Sequence, residues 1–292
     1  MTKSDRRGAL SVALIAAAIA VAYGPVLAKL VRQWLDDANA SHGLIVVPLA
    51  LYLVWARRVR WRALTLRPSP VGLLAVVGSL VLYAAGVLGA ELYLSRISLV
   101  GVLAGATLFV CGWGHLRLLA FPLILVALSV PLPAIVLNQI TFPLQLLASR
   151  IGETVIAAAG VPILREGNVL VLADTTLEVA EACSGIRSLV SLVTLAVVAA
   201  YFRGGTRIGG IVLVMLALPI AVVANAARVA GTGLAAHFWG PGAAEGFFHT
   251  FSGWLVFVVA AALLVLSERV ISRAERSGRY SPTREATCAP AP

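Results

Sequence analysis

The chain has 292 residues, 60% of them hydrophobic and 12% charged, with a formal net charge of +10. A globular domain runs about 45–50% apolar and about 25% charged, so no aqueous core of this size holds the surplus, and the bilayer is its expected solvent. The basic excess would point to nucleic acid in a soluble chain, but here it falls between apolar blocks, where the positive-inside rule accounts for it and no nucleic-acid partner is expected.

In chain order, apolar runs predict spans at 9–31, 43–56, 71–90, 97–114, 117–131, 184–202, 208–227 and 252–268. The expected fold is therefore an all-α polytopic membrane protein of about eight transmembrane helices. The first run follows a basic start, is long and shows no small-residue cleavage site, so it reads as an uncleaved helix. Taking the loops alternately puts sixteen of the 23 Lys and Arg on one side, including Arg57, Arg58, Arg60, Arg62, Arg269, Arg273 and Arg276. That side is expected to be cytoplasmic and to hold both termini.

The longest outward connection lies between the fifth and sixth spans. Its first part, 134–159, scatters Asn138, Gln139, Gln145, Arg150 and Glu153 through an apolar pattern and predicts one or two amphipathic helices. Its second part, 167–180, is β-branched with Asp174 and Thr175 near the middle, and predicts a short β-hairpin on the outer face. Residues 1–272 are expected to form one membrane domain. The Arg-, Ser- and Pro-rich stretch 273–292 is expected to be a disordered cytoplasmic tail. No internal repeat, P-loop, HExxH or GxSxG occurs, and no cofactor is expected.

Cys111, Cys183 and Cys288 sit in separate contexts, which supports neither a disulfide framework nor a cysteine metal site. Cys183 stands where extended chain enters the sixth span, with Ser184 and Gly185 expected in the first helical turn. A thiol there faces unpaired N–H groups and the positive end of the helix dipole, which favour the thiolate. Arg187, one turn along, adds positive potential or binds a carboxylate. The alternative is a small buried hydrophobe beside an interface anchor.

Arg228 lies at the end of the seventh span, where a charged residue faces a polar cavity or snorkels to the headgroups. Asn225, three residues earlier, shares its face. His249 precedes the eighth span among aromatic residues, and is suited either to proton transfer near neutral pH or to an interface role. His42, beside Asp36, Asp37 and Asn39, is a poor metal candidate, and no metal site is expected; His115 and His237 read as interfacial. Alternation of the spans puts Cys183, Arg228 and His249 at one outer face. A thiolate, a base and a cation are the parts needed for acyl transfer.

The segments EACSGIRSL (181–189), NAARV (225–229) and GFFHTFSGW (246–254), with the W..DANASHG stretch from Trp34 to Gly43, resemble the exosortase/archaeosortase family of polytopic membrane cysteine transpeptidases. The resemblance implies Cys183 as nucleophile, His249 as the histidine and Arg228 as the arginine, with His42 in a supporting block. One departure is Ala40, where an aromatic residue often precedes the Ser. The implied substrates are proteins with a C-terminal sorting signal: a Pro-Glu-Pro-type motif, a transmembrane helix and a basic cluster. The implied outcome is transfer to an acceptor nucleophile for surface attachment, at the periplasmic side of a Gram-negative inner membrane and in the company of exopolysaccharide loci. The competing reading is a non-catalytic transporter or polysaccharide-assembly component. A transport pathway needs ionisable groups near the midplane, and the span interiors are nearly free of charge.

Overall fold

The computed structural model describes residues 3–173, 175–179, 185–240, 242 and 246–279, with side chains described throughout except at 3–16, 246–250, 278 and 279. The chain divides into two compact units, Met1–Val136 and Leu137–Pro292.

The first unit contains α1 (Lys3–Asp36), α2 (Gly43–Ala56), the short α3 (Arg58–Ala63), α4 (Val71–Leu88), α5 (Leu92–Val110) and α6 (Trp113–Leu128). Lipid is as apolar as leucine, so helices in it associate through close packing and hydrogen bonds rather than hydrophobic drive. The α4–α5 hairpin shows this directly. A methyl group on Gly72 would stand 2.2 Å from the Phe109 amide nitrogen and 2.6 Å from the Gly105 carbonyl oxygen, and one on Gly86 would stand 2.5 Å from the Ser95 nitrogen. The two backbones touch because no side chain intervenes. Between α1 and α5, the fully buried Tyr23 hydroxyl is paired with Ser98 Oγ at 2.9 Å. Below α2, Arg57 donates to the Leu118 carbonyl of α6.

The second unit contains all but the first three residues of α7 (Ala134–Ala158), with β1 (Ile163–Glu166), β2 (Val169–Leu172), β3 (Thr176–Glu178), α8 (Ile186–Phe202), α9 (Arg207–Trp239) and α10 (Gly246–Arg279). The strands form an antiparallel meander in the order β1-β2-β3. Glu166 pairs with Val169, leaving a two-residue Gly167-Asn168 loop in which Gly167 takes the positive φ of 66° that such turns need. Two cores follow. Leu192, Ala196, Leu213, Ala217, Ala221, Ala260 and Leu264 join α8, α9 and α10. Ile156, Leu170, Leu172, Val229 and Ala230 join α7, the sheet and the far part of α9.

Among the described residues, α4, α5, α9 and the 251–277 stretch of α10 are long and apolar enough to cross a bilayer, and α2, α6 and α8 are shorter apolar helices. Their outward faces expose large hydrophobic residues such as Leu51, Leu74, Val81, Ile211 and Met215, as lipid contact requires. The polytopic, almost wholly helical architecture expected from the sequence is the one observed.

The differences lie at element ends. The 134–159 segment is one helix. The expected hairpin has a further strand, β1, because Arg165 and Glu166 are polar strand residues; Arg165 is held by Glu153 of α7 at 2.9 Å. The seventh run continues to Trp239, since residues beyond Arg228 are buried against α7 and the sheet instead of in lipid, so His237 lies inside α9 and not in a loop. His115 is likewise a helical residue, 1% exposed, with its ring edge-on to Trp61 at 4.5 Å. Residues 273–279, within the expected tail, continue α10, and 280–292 lie outside the described residues.

Gly72→Val is expected to overpack the α4–α5 contact and lower stability by about 1–3 kcal/mol. Gly78→Ala, where nothing lies within 4 Å of the added methyl, is expected to be neutral or slightly stabilising. Thermal unfolding of the two variants in detergent checks both.

Candidate active site

The second unit supplies the site from three helices. The α8 entrance is built on Gly185, the N-cap, buried and in the left-handed region at φ 75°, ψ 1°. The helix therefore starts at Ile186, with Gly185 as its cap and not in its first turn as the sequence suggests; glycine takes this left-handed conformation without steric cost. Cys183 and Ser184 themselves lie outside the described residues. Arg187, in the first turn of α8, is exposed.

Gly185 sits directly on Asn225 of α9. A methyl group on it would come 2.7 Å from Asn225 Cγ and 3.0 Å from Nδ2. Asn225 is 5% exposed. Three residues on, about 60° around the helix and so on the same face, is Arg228. Its guanidinium is close to Gly253 of α10, where an added methyl would be 3.3 Å from both Cζ and Nη2. His249 is one turn before Gly253 in α10; its side chain lies outside the described residues. One face of α9 thus bears on both the α8 entrance and the start of α10.

Length fixes where this happens along the helix. From Arg207, Asn225 and Arg228 are about 27 and 32 Å along the axis, one hydrocarbon thickness of about 30 Å. The polar pair stands at the end of a bilayer-length stretch and not at its middle. Beneath Gly185 is a cavity of about 10 Å³ lined by Leu144, Ala148, Leu189, Ala221, Val222 and Asn225. It holds one water at most, so it is a packing gap and not a substrate pocket.

His42 belongs to the first unit, where it does a different job. Its Nε2 is 3.1 Å from the Leu128 carbonyl oxygen, and Trp34 Nε1 donates to the Ser129 carbonyl at 2.9 Å. Carbonyls at a helix C-terminus have no intrahelical donor, so these two rings cap α6 and tie the 37–42 turn to it. Since a carbonyl only accepts, Nε2 carries the proton in the neutral ring. Gly43 is required by the same packing, since a methyl group there would lie 2.3 Å from Trp34 Nε1. Ala40, the departure from the family pattern, is 2% exposed in a small core with Leu30 and Trp34.

Sequence reasoning missed Gly185 and Gly253 as contact surfaces, and Ser129 as the acceptor for Trp34. Nothing in a one-dimensional pattern marks a glycine as the seat of a distant side chain. Arg96, which falls between the predicted spans 71–90 and 97–114, is a buried residue of α5 whose Nη1 donates to Gln33 Oε1 at 2.6 Å.

A profile of the transmembrane exosortase family matches residues 34–266, from the Trp34 that caps α6 to the apolar part of α10. No curated protein and no solved structure matches the chain.

Gly185→Ala is expected to cost about 1–3 kcal/mol through the left-handed φ and the clash with Asn225. Adding Asn225→Ala removes the contacts with Cγ and Nδ2 but leaves Cβ 2.9 Å away, so it is expected to restore only part of the loss, which thermal unfolding of the two variants checks. Trp34→Phe leaves the Ser129 carbonyl unsatisfied and is expected to lower stability by about 1–3 kcal/mol in the same assay.

Proposed function

The chain belongs to the transmembrane exosortase family, and from that premise we propose that it is a membrane cysteine transpeptidase acting on proteins with a C-terminal sorting signal. The observation that carries the reading is the double contact of α9. Asn225 supports Gly185, two residues after Cys183, and Arg228 supports Gly253, one turn after His249.

In the proposed reaction His249 takes the Cys183 proton, and the thiolate attacks the scissile carbonyl of a substrate anchored by its own helix. The tetrahedral oxyanion forms against the Arg228 guanidinium, a charge-assisted donor that gains most as negative charge develops. Collapse expels the new amine, which receives the proton from His249, and leaves a thioester on Cys183. An acceptor nucleophile, deprotonated by His249, then displaces the thiol and carries the new C-terminus away. No cofactor enters any step. Asn225 holds the turn that presents the nucleophile, Ser184 flanks it, and Arg187, exposed at the α8 entrance, meets a carboxylate of the sorting motif.

The proposed orientation follows from the distribution of Lys and Arg: both termini cytoplasmic, the chain multi-pass in the inner membrane, and the site on the periplasmic side. The substrate's basic cluster then stays inside while its motif reaches the site.

Cys183→Ala is expected to insert normally in the membrane and to abolish processing of a co-expressed sorting-signal protein, followed by its shift on a gel. Arg228→Lys is expected to slow processing about 100-fold or more, as loss of an oxyanion donor does. Normal processing by Cys183→Ala would overturn the proposal. The mass of the released product distinguishes an acceptor adduct from simple hydrolysis.

A further inference from the structure

The far end of α10 carries two acids and a set of arginines, and the fold sorts them by direction. The acids turn inward. Arg203, at the end of α8 with a side chain 1% exposed, donates from Nη1 to Glu275 Oε1 at 3.1 Å, and its Nε stands 3.9 Å from Glu268 Oε1. Thr206 Oγ1 donates to the same Glu275 oxygen at 2.6 Å, and Ser272 Oγ to Glu268 Oε1 at 2.6 Å. This network clamps α10 to the α8–α9 turn.

The arginines turn outward. Arg269, Arg273 and Arg276 are exposed, and no carboxylate lies within ion-pair distance of them among the described residues. Their spacing of four and then three residues confines them to an arc of about 60° on the helix. With Ser272, Ser277 and the edge of Glu268 they line an open cavity of about 530 Å³. One turn nearer the bilayer, Val265 and Leu266 flank the same stripe and are 48% and 54% exposed.

Depth completes the picture. From Gly253 to Arg269 the helix rises about 24 Å, close to the thickness of the hydrocarbon layer, so Arg273 and Arg276 stand at headgroup level. An apolar turn below a convergent set of guanidiniums matches an acyl chain below a phosphodiester, and guanidinium pairs with phosphate in bidentate fashion. The matched family segment ends at 266, before the stripe begins. We propose that Arg269, Arg273 and Arg276 form a binding site for the phosphate headgroup of an anionic phospholipid in the leaflet on the basic side of the membrane. The proposal needs only that the chain spans the bilayer and is independent of the transpeptidase reading.

The test uses the full-length protein, purified from mixed phosphatidylglycerol and phosphatidylcholine micelles, with retained lipid counted by native mass spectrometry. Wild type is expected to retain phosphatidylglycerol preferentially. Each arginine near the surface is worth about fivefold, so Arg273→Gln reduces the preference about fivefold, and Arg269→Gln/Arg273→Gln/Arg276→Gln abolishes it. Arg58→Gln/Arg60→Gln/Arg62→Gln, which removes as many charges from α3, is expected to leave the preference intact. Absence of a preference in wild type, an equal loss in the α3 variant, or displacement of the lipid by an equal concentration of inorganic phosphate would overturn the proposal. If the triple α10 variant aggregates, the single variant decides by the same readout.

Discussion

Inside a bilayer no water is available to hydrogen-bond a backbone amide or carbonyl, and no hydrophobic gain draws one helix to another. Most of what is specific in this protein answers those two conditions. Helices satisfy their own backbones, and they meet where glycine lets backbone touch backbone, as Gly72 and Gly86 of α4 do against α5. At helix ends the unsatisfied carbonyls are met by side chains from elsewhere. Trp34, in the last turn of α1, and His42, just before α2, reach across to the last carbonyls of α6. Where the chain leaves this regime, around β1–β3 and the end of α9, it builds an ordinary core of Ile156, Leu170, Leu172 and Val229.

The candidate site uses the same device for a different end. Gly185 admits Asn225 where a methyl group would come 2.7 Å from its Cγ, and Gly253 gives the Arg228 guanidinium a close seat. The common element is α9, about 50 Å long from its 33 residues. Its first part packs on α8 and α10 through Leu213, Ala217 and Ala221, its middle holds the polar pair, and its last part anchors the sheet through Val229, Ala230 and Gly233.

Charge is arranged with equal economy. Beside the Gly185–Asn225 contact it is represented, among the described residues, by Arg187 and Arg228. About a bilayer thickness away it is dense, and there the acids Glu268 and Glu275 are held by Arg203 while arginines of α10 face outward.

Hydropathy alone located a helix at every predicted run, with α1, α9 and α10 extending six or more residues past it, since a run of apolar residues has one stable solvent and one stable conformation in it. The motif blocks around Cys183, Arg228, His249 and His42 were also legible, because residue type and order survive in one dimension. The length of α9, the third strand, the helical state of 273–279 and the burial of Arg96 were not, for each depends on what a segment packs against and not on its own composition. The same holds at the site. The sequence names Asn225 and Arg228, but only the tertiary structure seats them on Gly185 and Gly253, because a contact between residues 40 and 25 positions apart exists only once three helices are side by side.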